Sequence, residues 1–483
     1  MKWIFSVLLF FVSLNLKAQQ DTIYNPDHLY QPQELHADLA FLKSVLEEAH
    51  PSLYRYTPKD TIDFKFEMAD NQLNKPLTDM DFWKIATPLV VAIRSAHTVL
   101  CPSSAYVAWQ NKNRVSRLPL MVYAMDNRLF VAACPKKENS LYRGAEILTI
   151  DDHSVKDILF ALKELIPAEG YNEQFVNRML ETSMFDEFYG HVFGFKPQYK
   201  ITYVDSAGVN QQVTINAIKS VYGVSAEHGK AMLEQEWDEL DKAVKIDFFN
   251  NVPHTEGIKI KSLTYFNYFR SFNEAFFKQI HDGKIENLII DLRGNPGGYL
   301  GIGIDMMRYM IAGSVVPAKE VTAIVKEPSF TKYIVKEGSD FSRSLLLKSG
   351  KHQYYIYDAN HKVYSEPQYY YNKNVYVLID KGTFSAASLF IANLKSQRKV
   401  TIIGEETGGG EAGTDGNGFT IVKMPATHLL LRLPNFWVAT TTNHKNTGHG
   451  VMPDIEVKPT ITDKVNKNDV VMKETLKLIM NKK

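Results

Sequence analysis

Val375-Tyr376-Val377-Leu378-Ile379-Asp380-Lys381-Gly382-Thr383-Phe384-Ser385-Ala386-Ala387-Ser388 runs from an unbroken apolar segment, through a short polar turn, to a serine that opens a second apolar segment. An apolar run without polar alternation suits a strand covered on both faces. Asp380, Lys381 and Gly382 end that strand, and the residues from Ser385 to Leu394 read as a helix. Two similar runs frame it. Leu288-Ile289-Ile290-Asp291-Leu292 leads into Arg293-Gly294-Asn295-Pro296-Gly297-Gly298, and Val400-Thr401-Ile402-Ile403-Gly404 leads into Glu405-Glu406-Thr407-Gly408-Gly409-Gly410. Ile258-Lys259-Ile260 begins the series. Helical segments are predicted at 271–281 and 302–311. Buried strands alternating with helices predict an α/β core with helices on the sheet faces.

Upstream of this core the periodicity changes. Leu35, Leu39, Leu42, Val45 and Leu46 recur at helical steps, and Phe82, Ile85, Leu89 and Ile93 mark a second helix over 81–94. These define a helical N-terminal domain over 19–112, which contains the short motif Ser95-Ala96-His97-Thr98. From 113 to 218 the signals are mixed. Two hairpins are predicted, one around Asp126-Asn127 and one around Ser206-Ala207-Gly208, with a strand from Gly144 and a helix from Val155 to Leu165 between them. The order resembles a PDZ-type module. The polar stretch 219–256 reads as a connector containing a helix near 226–243, and 257–483 forms the core.

Composition bounds the function. The 483 residues carry 55 Lys plus Arg against 54 Asp plus Glu, so there is no basic field to attract nucleic acid. The first eighteen residues, 1–18, read as a signal peptide: Lys2 gives a charge, Ile4 to Leu14 is almost wholly apolar, and Ala18 precedes the cleavage point. A run of about 11 residues is too short to span a bilayer. The sequence therefore predicts a secreted or periplasmic protein with no stable membrane insertion after cleavage. Cys101 and Cys134 are compatible with a disulfide in that setting, or with two small buried side chains. Oligomeric state is not legible.

Each of the three glycine- or serine-bearing loops has two readings. Gly297 and Gly298 form an ordinary turn, or a backbone approach where free N–H groups stabilise an oxyanion. Ser385 caps a helix, or is a nucleophile presented at a strand–helix turn. His97 is one of fourteen histidines, and its imidazole is suited to take a proton near neutral pH.

Together, DLRGNPGG at 291–298, GTFSAAS at 382–388, IIGEETGGG at 402–410 and Gly450-Val451-Met452-Pro453-Asp454 resemble the S41 serine peptidases, of the C-terminal processing and tricorn-core types. The resemblance implies a crotonase/ClpP-like ββα core, peptide or protein substrates, and no metal or organic cofactor. It places the nucleophile at Ser385. It places one oxyanion donor at the Ala386 amide and the other at Gly297 or Gly298. The processing branch carries a lysine base where this chain has Gly410. Lys395 on the Ser385 helix lies about 15 Å along the axis, out of reach. The tricorn-like branch uses a histidine, which matches His97, with Ser95 as an adjacent orienting group. The acid of that branch falls near Thr447, where no carboxylate stands, leaving Glu411 and Asp415 as acidic replacements. The expected activity is acyl transfer from a peptide bond through Ser385 and His97. The alternative is an S41-like scaffold, weak or inert, that binds an apolar ligand or peptide.

Overall fold

The computed structural model describes residues 24–134, 141–219, 244–249, 251–264, 266–338, 346–348, 355–357, 367–443 and 448–481. The signal-peptide reading at 1–18, the connector helix near 226–243 and Thr447 lie outside the described residues.

The architecture is mixed α/β. One sheet has six strands in the order Val244–Phe248, Thr255–Ile260, Asn287–Asp291, Asn374–Ile379, Thr401–Gly404 and Ile455–Glu456. The first pair is antiparallel and all the others are parallel. Asn287–Asp291 and Asn374–Ile379 sit at its centre, and their apolar residues are buried on both faces. This accounts for their unbroken apolar sequence. Helices Phe266–Asp282, Leu300–Arg308 and Ala386–Gln397 accompany the strands and contact one another in succession.

A second, seven-stranded sheet was not foreseen. Its spine is the hairpin of Gly413–Lys423 and Leu430–Ala439, and every residue of the latter strand is buried. Thr414-Asp415-Gly416-Asn417-Gly418 has the composition of a turn, which hides the strand from pattern reading. The pairing register slips between Thr414 and Asn417, so this stretch is a bulge rather than regular ladder.

The N-terminal region is stitched into that sheet. Helices Pro32–Ala49, Lys59–Asp70 and Asp79–Val91 lead to a short strand, Val99–Cys101, which pairs with Leu430–Ala439 in the register Val99↔Arg432. Asp38 in the first helix accepts the amides of Ala426 and Thr427, both at 2.8 Å, tying it to the hairpin's turn. His97, two residues before the short strand, is thereby carried to the core.

Between these parts, Met121–Met125, Arg128–Ala133, Glu146–Ile150, Gln198–Val204 and Asn210–Asn216 form an antiparallel sheet with the helix Val155–Lys163. Both predicted hairpins are present. Helices Gln174–Leu180 and Met184–Phe193 were not anticipated. One continuous cluster of buried apolar residues links Leu35, Leu89, Ile147 and Ile215 with Phe384, Val422 and Leu431. A buried ion pair, Lys381 Nζ to Glu181 Oε1 at 2.7 Å, reinforces the join. Cys101 and Cys134 are not joined in a disulfide, and burial pushes the Cys101 thiol up to about 12.

Candidate active site

Ser385 sits where a central parallel strand turns into a helix. The turn is held by side chains that cross to the neighbouring loop. Asp380 Oδ1 accepts the amides of Gly382 at 2.9 Å and Gly294 at 2.8 Å, and Thr383 Oγ1 donates to Leu292 O at 2.9 Å. Ser385 has φ 52° and ψ −126°, and its side chain makes no capping hydrogen bond. A non-glycine residue held there costs about 1–3 kcal/mol, sustained only where the surroundings fix it. The capping reading of Ser385 is thus set aside, and the hydroxyl is free for other work.

His97 supplies the neighbour. Its Nε2 lies 3.1 Å from Ser385 Oγ. The ring is parallel, within 20°, to Phe384 at 4.8 Å and to Phe419 at 5.9 Å between centroids. Burial first, and the Arg432 charge second, hold its pKa well below the ordinary imidazole value. The side chain is therefore neutral at neutral pH, the form that can accept a proton. The bulge presses against this pair: a Cβ on Gly416 would stand 2.8 Å from His97 Nε2 and 3.1 Å from Ser385 Oγ. No side chain fits at 416 without displacing one of them.

On the far side of the ring, the bulge aims Thr414 Oγ1 at His97 Nδ1, 3.1 Å away. Beyond it lies Glu169, with Oε2 3.3 Å from Thr414 Oγ1 and 3.7 Å from His97 Nδ1. Glu169 comes from the loop after the helix Val155–Lys163. That loop is plugged into the core: Gly170 N donates to Arg94 O at 2.8 Å, Tyr171 N to Gly448 O at 2.7 Å, and Asn172 Nδ2 to Thr407 O at 2.6 Å. Burial, and then the charge of nearby Asp415, raise the Glu169 pKa well above the usual carboxylate range. Sequence reasoning missed Glu169. The available signal was an acid in the otherwise apolar stretch Leu165-Ile166-Pro167-Ala168, followed by a glycine.

The other sequence candidates are placed as follows. Asp415 is buried and accepts from Ser52 Oγ at 2.6 Å, with His50 Nε2 at 4.0 Å. Glu411 faces Lys395 Nζ at 3.7 Å. Ser95 Oγ accepts from Thr98 Oγ1 at 2.9 Å, and Thr98 in turn contacts His50 Nε2 at 2.7 Å. Gly410 has no spare room, because a Cβ there would lie 2.7 Å from Gly413 O and 3.2 Å from Glu169 Cγ. Of the two glycine amides, that of Gly297 is taken by Asn295 Oδ1 at 2.9 Å. Gly297 still packs on the elbow, since a Cβ there would stand 2.8 Å from Ala386 N and from Ser385 Cβ, and its φ of +94° favours glycine.

Residues 258–457 match the sequence profile described as peptidase family S41. Sequence comparison with curated proteins gives no match. Among solved structures, mature CPAF is similar with a TM-score of 0.64 at 15% identity, over 92% of this chain and 96% of that one. A mutant CPAF gives a TM-score of 0.66 at 15% identity, over 93% and 97%. The photosystem II D1 C-terminal processing protease gives 0.44 at 14% identity, over 90% and 96%. The two CPAF structures share the fold of this chain over nearly its full length.

Proposed function

The chain belongs to the serine peptidase family S41 through residues 258–457, and from that footing we propose that it is an exported peptidase working by acyl transfer. Ser385 Oγ attacks the scissile carbonyl while His97 Nε2 takes its proton. The tetrahedral oxyanion is held by the amides of Ala386 and Gly298, the Gly297 amide being engaged by Asn295. His97 then returns the proton to the leaving amine, and water releases the acyl-enzyme by the reverse sequence. In the same reading, residues 113–218 form a PDZ-like module and 257–483 a crotonase-like core.

The observation that carries the mechanism is the 3.1 Å contact from His97 Nε2 to a serine hydroxyl held at positive φ on a strand–helix turn. A fluorophosphonate probe tests it: the wild type takes up one label, and Ser385→Ala takes up none. Equal labelling of both would refute the assignment. Export rests on the charged, apolar start and Ala18. Mass spectrometry of the protein from the producing cell is expected to find a chain beginning near Gln19, and an intact Met1 would overturn it.

A further inference from the structure

We propose that Glu169 is a positioning residue for this reaction, acting on His97 through the hydroxyl of Thr414. The proposal rests on the Ser385–His97 reading. For Nε2 to receive the serine proton, Nδ1 must carry the other hydrogen. The Nδ1–H then donates to Thr414 Oγ1 at 3.1 Å, and the Thr414 hydroxyl donates onward to Glu169 Oε2 at 3.3 Å. A hydroxyl with an N–H on one side and an accepting carboxyl oxygen on the other has a single favourable orientation. It therefore fixes the imidazole tautomer and ring plane, as a directly bonded acid does in other triads.

Three further observations favour this over a merely structural acid. The Glu169 side chain is 1% exposed, and among the described residues its ion-pair partner within 4.0 Å is His97. Its Oε1 makes no well-formed hydrogen bond among the described residues, although the Ala96 amide faces the carboxyl and draws its pKa down. A carboxyl buried so sparsely satisfied is costly to the fold, and such groups concentrate at working sites. The acid also lies beside Gly410, where the Gly413 carbonyl first and Glu169 Cγ second leave no room for the Cβ of a lysine base.

The charged groups facing Glu169 are His97, Asp415 from the hairpin bulge and Arg55 from the N-terminal region. Asp415 disfavours a second anion beside it and Arg55 favours one. Burial and Asp415 favour the neutral acid in the resting site, and an imidazolium formed at His97 during attack favours its ionisation, so the interaction is strongest where positive charge develops.

The test uses the full mature chain and the rate of inactivation by a fluorophosphonate, resolved into kinact and KI, with thermal melting as the control. Glu169→Gln and Thr414→Val are each expected to lower kinact about a hundredfold, with KI and melting temperature essentially unchanged. The double variant is expected to be no slower than the slower single one, because the two groups act as a unit. Thr414→Ser is expected to stay within a few-fold of wild type. A wild-type rate in Glu169→Gln would overturn the proposal. So would losses that multiply in the double variant, or a Thr414→Ser as slow as Thr414→Val. If Glu169→Gln does not fold, the valine–serine comparison at 414 decides. His97→Ala separates the two layers: if it reacts at the wild-type rate, the Ser–His reading itself fails.

Discussion

Gly416 offers the most direct steric test of the site. Its φ lies outside the left-handed region, so alanine meets no backbone penalty there and the added methyl is the whole perturbation. That methyl would stand 2.8 Å from His97 Nε2, 2.9 Å from Cε1 and 3.1 Å from Ser385 Oγ, whereas ordinary contact begins at 3.4 Å. The imidazole or the strand must retreat by about 0.6 Å, which would stretch the 3.1 Å serine contact beyond hydrogen-bond range. Misplacing a reacting group by that order costs about a hundredfold in rate. Overpacking costs about 1–3 kcal/mol in stability, so the folded protein survives to be assayed. Gly416→Ala is therefore expected to react with a fluorophosphonate about a hundredfold more slowly than wild type while still melting cooperatively. Reaction at the wild-type rate would show that the pair is not gripped by the bulge, and the geometric argument would fall.

Two other perturbations follow from the same contacts. Glu181→Gln strands the buried Lys381 ammonium and is expected to cost about 3 kcal/mol by denaturant unfolding. Burial alone raises the Glu181 pKa, but the Lys381 and Lys464 charges outweigh it and the net shift is downward. The stabilisation is thus present above the ordinary carboxylate range and lost as pH falls through the folded pKa, so the gap between variant and wild type should close below about pH 4; a gap unchanged at pH 3 would refute the pairing. Lys395→Ala, which removes a partly buried 3.7 Å contact with Glu411, is expected to leave the labelling rate within about two-fold, and a large loss would reopen the lysine as a base.

The sequence singled out Ser385 and His97, which the fold brings within 3.1 Å of each other, because both sit in local signals. Ser385 follows a buried strand, and His97 lies in a short motif after a helix. The central strands were equally legible, since burial on both faces leaves an unbroken apolar run. The hairpin of Gly413–Lys423 and Leu430–Ala439 was not, because a bulge built from Thr, Asp, Gly and Asn looks like a turn. Glu169 was hidden for a different reason. Its partner Thr414 is 245 residues away, and no periodicity or motif encodes a contact made only when a loop of the middle region docks against the hairpin sheet. Thr447, Glu411 and Asp415 lie close along the chain to the core motifs, whereas the fold brings an acid in from the middle region.

The distance of 288 positions between His97 and Ser385 has a consequence for the life history of the protein. A ribosome releases His97 long before Ser385, and the bulge beside His97 arrives later still. A half-made chain that ends before Ser385 therefore carries the imidazole without the hydroxyl it contacts, and under the proposed mechanism has no assembled site. The same spacing means that residues 258–457 expressed alone would carry the hydroxyl without its proton acceptor. Under the proposed mechanism, loss of the first hundred residues is expected to abolish fluorophosphonate labelling, because His97 leaves with them.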